Sequence, residues 1–206
     1  MYKHEQALLK AGYSYIAGCD EVGRGPMAGP LVCAAVILNP AYRIDGLNDS
    51  KKLSQTRRAF LYEQIKTHAI AYRVVFIDHA VVDEMNIYKA TQLGLLKAIT
   101  ELNHRVDYAL IDAMPIPKLD IPKESIIKGD QKSASIAAAS ILAKVERDQY
   151  MGLMASKYPG YGFERNKGYP TKEHKAALIK LGACEIHRKS YRPVADVLKK
   201  QLQLEV

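Results

Sequence analysis

YIAGCDEVGRGPMAGPLVCAAVIL, residues 15–38, sets the fold. Two runs rich in apolar or β-branched residues, Tyr15–Glu21 and Leu31–Leu38, flank a Gly/Pro cluster. Runs of this length bounded by turn residues read as strands, and the short connection predicts that they pair antiparallel. The apolar stretch Met27–Leu38 has 12 residues and contains Gly29 and Pro30. It is too short and too interrupted to cross a bilayer and suits a buried strand.

Outward from this pair, residues 1–11 carry apolar side chains at helical spacing and stop at Gly12, which predicts a short helix. Ser54 or Thr56 is placed to cap a helix reaching about His68, and Tyr72–Ile77 reads as a third strand. Asn86–Asn103 reads as one helix, Tyr108–Ile111 as a buried central strand whose end carries Asp112, and Ser125–Ile127 as another strand. The alanine-rich segment from Gln131 to about Met154 is helical, its small side chains allowing close approach to a sheet, with Asp130 at the expected N-cap. An aromatic, basic loop runs from Tyr158 to Tyr169, a helix follows from Thr171 to Leu181, and a last helix starts near Pro193. Mixed strand and helix order without repeats predicts an α/β fold, a mixed sheet flanked by helices with a helical C-terminal region.

The 206 residues suit one domain, and 48% hydrophobic with 25% charged residues is an ordinary globular composition. Thirty Lys and Arg against 22 Asp and Glu leave a net charge of +8, which suits a polyanionic partner without requiring one. MYKHEQALLKAG lacks the layout of a secretory signal, and Cys19, Cys33 and Cys184 show no paired spacing, so reduced thiols and a cytoplasmic location are expected.

Four carboxylates fall at the ends of expected elements: Asp20 and Glu21 after one strand, Asp112 after another, Asp130 at a helix start. Mg²⁺ takes oxygen ligands and keeps several waters, so carboxylates converging at strand ends, completed by phosphate oxygens, form the arrangement it requires. Each residue has a plainer role open to it. Asp130 suits an N-cap, and Asp112 before Ala113-Met114-Pro115 suits the stop of a strand. Their joint placement in apolar surroundings, where unpaired carboxylates are costly, favours a metal site. Adjacent strand residues point to opposite faces, so Asp20 and Glu21 share a site only if the strand bends, and Gly23-Arg24-Gly25 offers such a bend.

Gly23-Arg24-Gly25 is an ordinary turn or a backbone able to approach a sugar-phosphate closely. Lys51 and Lys52 belong to a solvated loop or contact phosphates, as do Lys132 and Ser133 at a helix start. Residues 158–174 interleave Tyr158, Tyr161, Phe163 and Tyr169 with Arg165, Lys167 and Lys172, and about half of these rings are expected to pack on the core. His174 reads as a first-turn helix residue ahead of a catalytic one.

From about Tyr15 to Arg192 the chain resembles the type 2 ribonucleases H, in their bacterial ribonuclease HII form. The motifs that carry the resemblance are AGCDEVGRGPMAGPLVCAAV (17–36), LNDSKKLS (47–54), IDA (111–113), KGDQKSASIAAASILAKVERD (128–148), YPGYGFERNKGYPTKEH (158–174) and HRKSYRP (187–193). The resemblance implies an RNase H-like domain over 1–206, with about 155–206 as a helical substrate-binding extension. It also implies endonucleolytic cleavage of RNA in RNA/DNA hybrids and 5′ of single ribonucleotides in duplex DNA, leaving 3′-hydroxyl and 5′-phosphate. Roles in ribonucleotide excision repair and primer removal would follow. The catalytic, metal-binding carboxylates map to Asp20, Glu21, Asp112 and Asp130, holding two Mg²⁺ or Mn²⁺ ions with Asp20 shared between them. Gly23, Arg24 and Gly25 would read the ribose 2′-hydroxyl and Tyr169 would stack on the following sugar, with Lys51, Lys132, Ser133 and Thr171 as backbone contacts. The related ribonuclease HIII carries an extra N-terminal domain and a catalytic glutamate, so a first carboxylate at residue 20 and an aspartate in fourth place favour HII. The terminal QLQLEV (201–206) weakly resembles sliding-clamp peptides, and a monomer is expected. A junction resolvase would share the carboxylates and ignore the 2′-hydroxyl, whereas a non-catalytic binder would share only the charge.

Overall fold

In the computed structural model, which describes residues 1–204 apart from the side chains of Leu202 and Leu204, β1 (Ile16–Val22) and β2 (Leu31–Ile37) pair antiparallel as expected. Asp20 stands opposite Ala34 and Val22 opposite Val32. On the other side of β1 lies β4 (Tyr108–Asp112), parallel to it with Gly18 opposite Leu110, and β5 (Lys123–Ile126) runs parallel to β4. With β3 (Ala71–Ile77) at the far edge, the sheet order is β3-β2-β1-β4-β5. β5 is an edge strand with three exposed residues, whereas β2, inside the sheet, is buried throughout.

The helices are α1 (Lys3–Lys10), α2 (Gln55–His68), α3 (His79–Met85), α4 (Ile87–Thr100), α5 (Ala134–Lys157), α6 (Phe163–Asn166), α7 (Lys172–Leu181) and α8 (Arg192–Leu204). Ser54 caps α2 by accepting the Arg57 amide. The helix expected over 86–103 is α4, with Asn86, at φ 68°, accepting the Tyr88 and Lys89 amides at its start; α3, which Asp78 caps through the Ala80 amide, precedes it and was not expected. Two expectations need correction. Asp130 is not the cap of α5: it lies in a 3₁₀ turn, Gly129–Gln131, and Ser133 Oγ accepts the Ile136 amide at the helix start. The loop after Tyr158 contains the one-turn helix α6. The terminal peptide at 201–206 falls partly outside the described residues.

Two compact units can be distinguished along the chain. The first contains residues 1–22, 32–76 and 91–146. Its core covers the sheet face carrying Val22, Val32, Ala34 and Val36, against Leu61, Tyr62 and Ile65 of α2 and the alanines of α5. That face also carries Gly18, because alternate strand residues share a side. A Cβ on Gly18 would lie 2.1 Å from the Ser135 carbonyl carbon and 2.3 Å from the Ile136 nitrogen, so only glycine lets α5 seat against β1. The second unit contains residues 23–31, 77–90 and those from 147 on, so the helical C-terminal region shares its unit with the glycine-rich loop after β1. Its cores gather Ala28, Met151, Tyr161, Phe163 and Ile186, and Met27, Leu178 and Val194. Among the described residues no helix is long and apolar enough to cross a membrane, and Cys19, Cys33 and Cys184 are free thiols.

Candidate active site

The register of the central strands positions two of the four carboxylates. Gly18 faces Leu110 across β1 and β4, so two residues further on Asp20 and Asp112 project from the same sheet face on neighbouring parallel strands. α5 seats on that face, and the turn that leads into it carries Asp130. Asp112 Oδ1 accepts the Gly129 amide at 2.6 Å, which ties the end of β4 to this turn.

Asp20 is buried, and its carboxyl is held well above the usual range, first by burial and then by the charges of Glu21, Asp112 and Asp130. It is therefore the member that feels all the others. Glu21 follows on a strand that stays regular to Val22, so the expected bend does not fall between the two acids; the chain turns after them, at Gly23, with φ 100°. Asp20 Oδ1 accepts the Glu21 amide at 2.7 Å. Asp130 is pushed up to about 6, first by burial and then by Asp49 and Asp112.

Asp49 was not among the acids singled out by position. It is buried, bonds Asp130, accepts the Lys51 amide at 2.9 Å and stands 3.4 Å from Gln131 Nε2. Its signal in the sequence is its place in LNDSKKLS, directly before Ser50 and the two lysines. Lys51 is exposed and lowers the Asp130 pKa by its charge, opposing the acids, while Lys52 Nζ bonds Gln131 Oε1 at 3.1 Å. Lys132 is exposed at the head of α5. Ser133 is fully buried and donates its hydroxyl to Glu5 Oε1 at 2.5 Å, so its side chain holds the helix start to α1.

The donor set suits a hard cation: it is made of carboxylate oxygens, and their mutual repulsion is what a divalent charge relieves. Among the described residues no three His, Cys, Asp or Glu side chains are gathered at ligating distance. Mg²⁺ does not require such a cage, because it binds through one or two carboxylates with water and phosphate oxygens completing its shell.

In the second unit, Gly23 is buried while Arg24 and Gly25 are exposed. A Cβ on Gly23 would meet Arg147 Nε at 2.5 Å. Arg147 is fully buried and bonds the carbonyls of Ala28, Pro30 and Lys167; burial and the nearby Arg188 push its pKa down to about 10. Neither buried arginine stands out in the sequence, since Arg147 lies in the charged stretch KVERDQ (144–149) and Arg188 in HRKSYRP. The Tyr169 ring lies 3.6 Å from the Cβ position of Gly25, so the glycine loop and this tyrosine share one surface of the unit. Tyr161 and Phe163 are buried and stack at 5.3 Å, while Tyr158 and Tyr169 are half-buried, the division expected of these rings. Thr171 is exposed and caps α7 by accepting the His174 amide. His174 is buried, its Nε2 3.1 Å from His187 Nε2, and serves the interior of the unit.

A family model of ribonuclease HII matches residues 17–194. Ribonuclease HII of Bacillus cytotoxicus is 52% identical over 202 residues, covering 98% of this chain and 78% of the relative. That of Bacillus mycoides is 53% identical over 200 residues, covering 97% and 77%. Among solved structures, the PCNA:RNase HII complex from Archaeoglobus fulgidus is similar with a TM-score of 0.73 and 28% identity, covering 88% of this chain and 96% of that one. The Mn²⁺ complex of Bst-RNase HIII shares the fold, with a TM-score of 0.70 and 17% identity over 92% of this chain and 70% of that one. The motifs, the sheet and these relatives agree: the chain belongs to the ribonuclease HII family and is a ribonuclease H enzyme.

Proposed function

We propose that this ribonuclease H hydrolyses the RNA strand of RNA/DNA hybrids and cuts on the 5′ side of single ribonucleotides in duplex DNA, leaving 3′-hydroxyl and 5′-phosphate ends. The observation that carries this reading is the state of Asp20, buried beside three further carboxylates whose charges raise its pKa. A fold that needed only caps would not maintain that repulsion at the end of a central strand.

Asp20, Glu21, Asp112 and Asp130 would hold two divalent cations, Mg²⁺ or Mn²⁺, with Asp20 as the common ligand. Such ions supply an activated water and charge for the departing 3′ oxygen. The Gly129 amide orients Asp112 by taking one of its oxygens, and Lys51 and Lys132 stand exposed near the acids to hold the phosphate backbone. Gly23, Arg24 and Gly25 would contact the 2′-hydroxyl, which distinguishes ribose from deoxyribose, and Tyr169 would stack on the next sugar. Thr171 is exposed beside it as a backbone contact. Removal of ribonucleotides from DNA and of RNA primers are the processes this cleavage serves.

The test is an end-labelled DNA duplex with one ribonucleotide, incubated with Mg²⁺, Mn²⁺ or EDTA beside an all-DNA control. Metal-dependent cutting only 5′ of the ribonucleotide is expected. Equal cutting of the all-DNA duplex defeats the 2′-hydroxyl assignment, and binding without cutting under any metal defeats the catalytic one.

A further inference from the structure

We propose that Arg188, together with Tyr191, is a positioning residue for substrate discrimination: it fixes the peptide planes of the Gly23-Arg24-Gly25 turn so that the turn meets the ribose in one conformation. This rests on the proposed reading of that turn as the 2′-hydroxyl contact.

Arg188 is fully buried. Its Nη2 donates to the Gly23 carbonyl at 2.7 Å, its Nη1 to the Arg24 carbonyl at 3.3 Å and its Nε to the Gly29 carbonyl at 3.0 Å. Its own amide donates to the Met27 carbonyl at 2.9 Å. One residue therefore grips the loop at four points. Tyr191 completes the arrangement: its hydroxyl accepts from Arg188 Nη1 at 2.9 Å and donates to the Arg24 carbonyl at 2.5 Å. The turn that carries the pair is itself anchored, because Asp83 accepts the Lys189 and Ser190 amides at 2.7 and 3.0 Å.

The geometry has a directional consequence. A trans peptide is planar, with its N–H on the side opposite its C=O. Drawing the carbonyls of Gly23 and Arg24 toward the buried guanidinium therefore aims the following amides, those of Arg24 and Gly25, away from it. Arg24 and Gly25 are the exposed members of the turn. Arginine is needed because three carbonyls in different directions require a rigid fork of donors, which a lysine ammonium on a flexible stem does not supply. An apolar residue there would leave the Gly23, Arg24 and Gly29 carbonyls without this donor, so the buried guanidinium and the conformation of the loop are tied to each other.

The experiment measures affinity in an Asp20→Asn background, which binds without cutting, for a DNA duplex with one ribonucleotide and for the same duplex in all-DNA form. Tyr191→Phe removes the hydroxyl alone, and with it the hydrogen bond to the Arg24 carbonyl and the one accepted from Arg188 Nη1, which keeps its bond to that carbonyl. It is expected to lower the preference for the ribonucleotide about fivefold, the size of one hydrogen bond, with all-DNA affinity unchanged. Arg188→Lys is expected to lower it further; thermal melting reports whether that variant is folded, and Tyr191→Phe decides alone if it is not. Full preference in folded Tyr191→Phe and Arg188→Lys proteins overturns the proposal. Equal affinity of the Asp20→Asn protein itself for both duplexes instead overturns the reading of the glycine turn, and the proposal with it.

Discussion

The Gly129 amide donates to Asp112 Oδ1 at 2.6 Å, joining the C-terminal end of β4 to the turn that carries Asp130. Asp112→Asn keeps an acceptor for that amide and removes the charge, so it is expected to abolish turnover with the unfolding midpoint nearly unchanged. Asp112→Ala leaves the amide without its partner and is expected to cost a further ~1–3 kcal/mol of stability. Urea unfolding beside a cleavage assay separates the two. Turnover by Asp112→Asn at the parental rate would show that the carboxylate only holds the turn.

Glu5 Oε1 accepts the hydroxyls of Ser133 and Ser135 and the Ser135 amide, a cap for α5 supplied from 128 residues upstream. Glu5→Ala strips three donors of their acceptor in a buried place, and a loss of about 2 kcal/mol or more is expected in denaturant unfolding. Because α5 begins just after Asp130, cleavage should weaken as well. A change within experimental error in both would show that water replaces the carboxylate.

The elements of the sheet were legible because their signals are local: alternating or continuous apolar runs between Gly, Pro and Asn, and a serine ahead of α2. The same locality explains the misses. The seven-residue α3, started by the Asp78 cap and ended at Asn86 with φ 68°, is too short for a helical period to show. Of the site, the four acids stood out by their position at strand and helix ends. Asp49, Arg147 and Arg188 did not, since charged residues in polar stretches read as solvated, and only the fold buries them beside Asp130 or the glycine loop.

Gly18 offers a test of how closely β1 and α5 must approach. A methyl group there would meet backbone atoms of Ser135 and Ile136, which, unlike a side-chain end, cannot turn aside. Gly18→Ala is expected to cost about 3 kcal/mol or more as α5 is forced outward, and to reduce cleavage by displacing the turn at Asp130 from Asp20. Gly152, which a Cβ would leave without neighbours within 4 Å, supplies the control: Gly152→Ala should leave stability equal or raised, because alanine favours the helix interior. Equal unfolding midpoints for the two variants would refute the tight seat.

The histidine pair predicts a pH dependence of stability with a definite sign. The Cys184 amide donates to His187 Nδ1 at 3.0 Å, the two Nε2 atoms lie 3.1 Å apart, and His174 Nδ1 is 2.9 Å from the Tyr169 carbonyl. The chain closes with both rings neutral: His187 Nε2–H donates to His174 Nε2, and His174 Nδ1–H donates to the carbonyl. Burial, then His174 and His79, push the His187 pKa down to about 4, and burial lowers that of His174. The folded state thus disfavours a proton that the unfolded chain takes up near its ordinary value of about 6.5. The contribution is complete above pH 6.5, declines as the pH falls toward 4 and is fully lost below it. Between pH 7 and 4.5 the unfolding free energy is expected to drop by about 2 to 3 kcal/mol on this account. His187→Gln should be less stable at pH 7 and show a shallower decline, read from urea midpoints across that range; an identical slope would assign the acid sensitivity to other groups.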